Sequence, residues 1–340
     1  MTFPQLLTKF SCASVVDCQW RRLLSSLCFS MAGNEDTAPS ANKKNIFSKS
    51  GVLDVSEIDR DMLIKVLVNS VAYEKDGILA LSKPAGLPVS GKRVDGQLSL
   101  MDVWGDVADG VNRPNAVLIS APEKESSGIV LLADDNITAN KLSRDIADAG
   151  KRSQVKRQYI ALIVGIPEHH QGSQKLNLGQ EIIGEELRTV IKHEATKGSI
   201  KRQETKNTNV DYNVLDYNVK LNSALIEMWP LKAYKHQLQV HTTSMLCSIL
   251  GDHLYSNRVQ SVLGTPVLID PNEARTGPQK LPKMLRNAMN LSVSRVPKLP
   301  LHLHYNQLFL RRPDGDVHVT APHPTYFKRS MKLLDLEMPT

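Results

Sequence analysis

Apolar residues first recur at helical spacing from Trp20, where Leu23, Leu24, Leu27 and Met31 form one stripe with Arg21 and Arg22 off it. The 3.6-residue period returns at Ile58, Met62, Leu63, Val66 and Leu67 behind Ser56, which predicts a capped helix and the start of the folded body near Val55. Short apolar runs then predict strands at 77–81, 128–133, 158–165, 224–229 and 301–310. Between them, one helix opens at Asp135 or Asn136 and closes at Gly150, and another covers 235–250. Strands and helices interleave without regular βαβ spacing. The pattern therefore predicts an α+β fold, a mixed and largely antiparallel sheet with flanking helices, over residues 55–330, followed by a tail at 331–340.

Composition sharpens this picture at three points. With 340 residues, 41% of them apolar, the chain can bury one large core or two modest ones, and no apolar run approaches the length of a membrane-spanning helix. Cys12, Cys18 and Cys28 crowd the N-terminus and only Cys247 lies in the body, which excludes a disulfide framework and a cysteine zinc site and suits a reducing compartment. The amphipathic, Arg-bearing stripe lies among 34 residues that hold one acid, Asp17, so residues 1–31 read as a transit peptide addressed to the mitochondrial matrix and 32–54 as a linker.

The net charge of +7 matters only where it is concentrated. Lys141, Arg144, Lys151, Arg152, Lys156 and Arg157 stand against Asp145 and Asp148, a cluster that is either a phosphate-binding surface or a solvated face. Gly86 to Arg93 has phosphate-loop spacing but ends in Arg where the motif needs a hydroxyl, so no nucleotide site is expected. Metal ligation is not expected either. His236 and His241 are five apart, about 140° around a helix at roughly 100° per residue, and His302 and His304 lack a nearby carboxylate.

Four segments, read in order, resemble the RluA-type RNA pseudouridine synthase family. They are Ile-Leu-Ala-Leu-Ser-Lys-Pro-Ala-Gly-Leu-Pro-Val at 78–89, Glu-Lys-Glu-Ser-Ser-Gly-Ile-Val-Leu-Leu-Ala at 123–133, Gln-Tyr-Ile-Ala-Leu-Ile-Val-Gly at 158–165, and the stretch 230–255 holding His236-Gln-Leu-Gln-Val-His241. The resemblance implies a pseudouridine synthase fold, with no S4 module recognisable ahead of it, and isomerisation of a flipped uridine without cofactor or metal. It places Glu123 where the family has its catalytic Asp and Ala121 where it has an Arg. Gln239 replaces the Arg that pairs with that carboxylate, Tyr234 replaces an earlier Arg, and Tyr159 matches the tyrosine that packs on the base. Lys83, Lys235 and His236 fall in the matched motifs and are expected, with the cluster at 141–157, to contact RNA. Lys235, one turn before Gln239, is placed to supply the missing cation. One methylene moves a carboxylate by about 1.5 Å, and misplacement by about 1 Å costs on the order of a hundredfold in rate, so Asp at 123 is expected to be faster. Two readings follow: an RNA pseudouridine synthase acting on mitochondrial messenger or ribosomal RNA, or a non-catalytic RNA-binding factor working with protein partners in mitochondrial RNA processing or ribosome assembly.

Overall fold

The computed structural model describes residues 58–91, 97–193, 196–202, 204–275 and 277–339. Ser56 and the expected transit peptide and linker lie outside these residues. In chain order the elements are α1 (Arg60–Val68), β1 (Val71–Lys75), β2 (Ile78–Lys83), α2 (Leu100–Gly110), β3 (Val117–Ser120), β4 (Ser127–Ala133), α3 (Asn136–Lys151), β5 (Val155–Val164), β6 (Gln171–Ile183), β7 (Glu186–Ile191), α4 (Lys197–Lys201), β8 (Thr205–Asn218), β9 (Ser223–Pro230), α5 (Gln237–Ser244), β10 (Ser248–Ile249), β11 (Val259–Val262), β12 (Thr265–Leu268), α6 (Lys283–Ala288), β13 (Leu303–Leu310), β14 (Val317–Thr320) and α7 (Thr325–Leu333). No described helix is long and apolar enough to cross a membrane.

Twelve strands form one sheet along the path β1-β2-β4-β13-β5-β9-β8-β6-β7, with β3 on β4, β10 on β5 and β14 on β13. Only the β13–β4 pairing is parallel among the described strands, so the α+β, largely antiparallel architecture is the observed one. β13 is the seam. On one side it pairs with β5 from Leu303 to Leu310, and on the other with Ser127 and Gly128 of β4 and then with β14.

Alternation along β5 divides the core in two. Ile160 and Leu162 meet Leu285 of α6 and Phe327 and Met331 of α7, whereas Ala161 and Ile163 meet Ile226, Met228 and Leu238 of α5. Helices α6 and α7 thus cover one face of the central strands and α5 the other. The helix starts follow local chemistry. Asp135 accepts the Thr138 N–H at 2.7 Å, and Ser99 and Asp102 cap α2 reciprocally.

Three expectations are corrected. Helix 235–250 is only Gln237–Ser244, because the hydroxyls of Thr242, Thr243 and Ser244 turn back onto carbonyls of the same helix and Leu246 adopts φ +59°, which frees Ser248 and Ile249 to pair with β5. Residues 331–340 are not a tail throughout: α7 runs to Leu333, and Met331, Leu334 and Leu336 are buried in the core. The first described helix begins at Arg60, with Asp59 rather than Ser56 before it.

Gly128 sits at φ +117° where β4 meets β13, and a Cβ there would lie 2.2 Å from the Tyr305 carbonyl oxygen. Gly128→Ala should therefore destabilise the fold by more than about 3 kcal/mol, read as a lowered urea midpoint, because backbone rather than a flexible side chain would have to move.

Candidate active site

Glu123 lies on the loop between β3 and β4, and two groups from the β2 side hold that loop. The Gly86 N–H donates to the Lys124 carbonyl at 2.8 Å, and Lys83 Nζ donates to the same oxygen at 3.0 Å. Lys83 is fully buried and its ammonium also donates to Pro84 O (3.1 Å) and Leu87 O (2.9 Å). Burial draws its pKa down to about 7 while Glu125 and Glu123 oppose the shift. Three carbonyl acceptors use all three ammonium protons, so the charged form is the one the geometry satisfies. Lys83 is thus a clamp on the loop, and its expected role as an RNA contact is corrected: its nitrogen is spent on main chain. Lys83→Met should lower the melting temperature and slow catalysis together, by displacing Glu123, while leaving RNA affinity within about twofold, as binding and turnover assays would show.

The carboxylate is met from the other side by the turn before α5. His236 occupies the left-handed region at φ +52°, a conformation that costs a non-glycine residue about 1 kcal/mol or more and is kept where surroundings enforce it. In this pose its main-chain N–H donates to Glu123 Oε1 at 2.5 Å and its ring Nε2 stands 3.5 Å from Oε2. Tyr255 fixes the ring. Its hydroxyl accepts the Thr189 N–H at 3.0 Å and lies 2.7 Å from His236 Nδ1, so it donates its own proton there and leaves the ring hydrogen on Nε2, facing the carboxylate. Burial lowers the His236 pKa to about 4, which keeps the ring neutral.

Burial also pushes Glu123 up to about 7, against the His236 hydrogen bond, with Glu125 and Asp252 raising it and Lys235 lowering it. Asp252 is itself buried and raised to about 7; its Oδ1 accepts the N–H groups of Leu254 and Tyr255 and its Oδ2 has no partner among the described residues. One oxygen each of Glu123 and Glu125 and a nitrogen of His236 lie within 4.8 Å of one another, the one grouping among the described residues with the reach to ligate a cation.

Beside Glu123 opens a cavity of about 270 Å³, the space of about nine waters at roughly 30 Å³ each, and so of one eight-atom pyrimidine. Ala121, Glu123, Arg157, Tyr159, Leu238, Gln239 and Leu303 are among the residues that line it. The Tyr159 ring stacks on Tyr305 at 4.6 Å and 10°, a flat aromatic wall. Burial, with Tyr305 and Glu123 adding to it, raises the Tyr159 pKa, so the phenol stays protonated. A half-buried carboxylate, an aromatic plane and a base-sized cavity thus converge where the two parts of the sheet meet.

Residues 77–244 match the family model described as RNA pseudouridylate synthase. The chain is 33% identical over 287 residues to the human protein named mitochondrial mRNA pseudouridine synthase RPUSD3, covering 83% of this chain and 80% of that one. The chain belongs to the RNA pseudouridylate synthase family. It is also 28% identical to human pseudouridylate synthase RPUSD4, mitochondrial, over 84% of this chain and 74% of that one. The solved structure titled human RNA pseudouridylate synthase domain containing 4 superposes with a TM-score of 0.63 at 27% identity, covering 83% of this chain and 98% of that one.

Within this synthase fold the expected site residues separate. Glu123, Tyr159, Gln239, Arg157, Lys235 and His236 line one cavity. Gln239 is buried there, but the hydrogen bond to the carboxylate comes from the His236 main chain and not from its amide. Lys235 does not lie one helical turn before Gln239, because α5 begins only at Gln237; it is exposed and acts on Glu123 through its charge. Lys141, Arg144, Lys151, Arg152 and Lys156 lie on α3, the turn after it and the start of β5, away from the cavity lining. Lys141 pairs with Asp314, and Lys151 with Asp148 at 2.9 Å. His302 and His304 are fully buried and bonded to Ser330 and Ser127, which makes them structural. Sequence reasoning missed Tyr255, Thr189 and Tyr305 as parts of the site. Tyr255 ends a matched segment, which is the one signal that points to it, and its partner Thr189 belongs to a six-residue strand, Glu186–Ile191, whose polar residues hide it.

Proposed function

We propose that this chain converts uridine to pseudouridine in RNA, with Glu123 as the carboxylate that acts on a nucleotide flipped into the cavity and Tyr159 as the plane against which the base turns. The reaction is an isomerisation: the bond from the ribose carbon to N1 breaks, a bond to C5 forms, and the proton lost from C5 is matched by one gained at N1. No oxidant, reductant or metal is needed for that balance. The observation that carries the reading is the seating of Glu123 between the Lys83-clamped loop and the left-handed His236, at the rim of a base-sized cavity.

Two further points rest on the relatives' names and on the sequence. The protein acts in mitochondria, in the matrix, on messenger RNA, and residues 1–31 direct it there. A reporter fused to residues 1–33 should enter mitochondria; a reporter that stays cytosolic would sink the localisation. The substitutions at the coupled positions Glu123 and Gln239, which lengthen the carboxylate and take away its guanidinium partner, favour the second reading, an RNA-binding factor that works without turnover. Pseudouridine mapping of mitochondrial RNA from cells with and without the protein decides between the two: sites that vanish with it establish the enzyme, and an unchanged map leaves the binding factor.

A further inference from the structure

The positive charge is distributed very unevenly. Residues 274–334 hold eleven Lys and Arg against Asp314 and Asp316 alone, a net +9, whereas the whole chain carries +7. The rest of the chain, taken together, is slightly acidic. The larger share of the excess therefore resides in the segment that contains α6, β13, β14 and α7; the cluster at 141–157, six basic residues against Asp145 and Asp148, holds less, and two of its lysines are paired with Asp314 and Asp148.

Burial determines where this charge points. Leu281, Leu285 and Met289 around α6, Val296 in the turn that follows, and Tyr326, Phe327 and Met331 of α7 all sink into one core. Their neighbours Lys280, Lys283, Arg295, Lys298, Lys328 and Lys332 are exposed, and none of these six has an ion-pair partner among the described residues. That core lies under the face of β5 opposite to the one that carries α5 and the catalytic cavity.

We infer that this face is a second RNA-binding surface, one that grips the phosphate backbone of a long RNA whose target uridine sits in the cavity on the other side of the sheet. The inference rests on the synthase reading for its substrate, but the surface is separate from the catalytic pocket. Lysines with free ammonium groups that outnumber the nearby acids, Asp335 and Glu337 after α7, suit a flexible polyanion and carry no sequence preference. A lipid bilayer is the poorer occupant. The apolar face of α7 is consumed by the core, and α6 has six residues, so no amphipathic surface is left to insert; Met284 and Val293 are isolated exposed apolar side chains.

The experiment compares the full chain with the variant Lys283→Gln, Lys298→Gln, Lys328→Gln, Lys332→Gln, using a single-stranded uridine-containing 8-mer and a 60-nucleotide transcript that contains it. Four exposed substitutions should leave the thermal melt unchanged. On the transcript the variant should bind about tenfold more weakly at 0.15 M salt, with a log–log salt slope shallower by about 0.7 for each phosphate no longer gripped. On the 8-mer the two proteins should agree. Equal affinity and slope on the transcript would overturn the inference, as would a variant that loses binding only to vesicles containing anionic phospholipid. Failure of the wild type to bind the 8-mer at all, with transcript binding still weakened in the variant, would strike the cavity reading and leave the surface standing.

Discussion

Glu123→Gln should lower pseudouridine formation on a responsive RNA by on the order of a thousandfold or more, while RNA affinity stays within about twofold, because the substitution keeps the size of the group and removes the charge that acts only on the transition state. The His236 N–H that now donates to a carboxylate at 2.5 Å would still find the amide oxygen, so the loop should not move. Glu123→Asp is the sharper comparison. On the family pattern it should be faster; on the geometry it should be slower, since withdrawing the carboxylate by about 1.5 Å takes it from the His236 main chain. The geometry prevails here, and a faster Asp variant would show that the hydrogen bond holds Glu123 back. With the Glu123 pKa at about 7, the wild-type rate should rise as pH climbs from about 6 to about 8 while the carboxyl ionises. A flat profile over that range would mean that ionisation of this group does not limit the reaction.

The second large effect is acid lability. His236, His241 and His302 are drawn by burial from 6.5 to about 4, and His304 to about 3. Between pH 6.5 and 4 the unfolded chain therefore binds protons that the folded one refuses, and stability falls as pH falls through that window. Glu123 and Asp252 work in the opposite sense. Their raised values, both about 7, mean that the folded state holds protons the unfolded state releases, which adds stability as pH drops from about 7 toward 4.5. Four deeply buried rings are shifted down against two carboxyls shifted up, and one of those, Glu123, is about a third exposed and screened by solvent, so a net loss of stability is expected from about pH 7 to about pH 4.5. Urea midpoints measured across that range should fall steeply, and less steeply in His302→Asn, which removes one of the rings. A midpoint independent of pH would contradict the neutral, buried state of these histidines.

Much of the central sheet was legible because its strands are buried on both faces. β2, β4 and β5 are runs of Leu, Ile, Val and Ala, and their positions follow from apolar continuity alone. β6 and β8, 13 and 14 residues long, were not, since Gln174, Lys175, Asn207 and Asn209 sit in them with weak strand preference and exposed faces; pairing with each other and with β9 holds them extended. The carboxylate and the tyrosine of the site were visible as motif positions. What the sequence could not supply was the backbone of His236, because a left-handed histidine has no pattern, and with it went the true start of α5 and the partner of Glu123. Lys83 misled for a related reason: a lysine beside turn residues looks solvent-facing until the carbonyls that converge on it are seen.

β13 also sets an order of events. Glu123 reaches the site from the side of β4, whereas Tyr159 and His236 come from the side of β5 and β9, and the strand that joins these two parts, residues 303–310, follows both in the chain. As the polypeptide emerges from a ribosome or an import channel, β4 and β5 are made long before the strand that lies between them. The two halves of the site are therefore joined by a strand made after both of them. Until that strand arrives, the facing edges of β4 and β5 are open to pairing with other chains, a risk suited to chaperone cover.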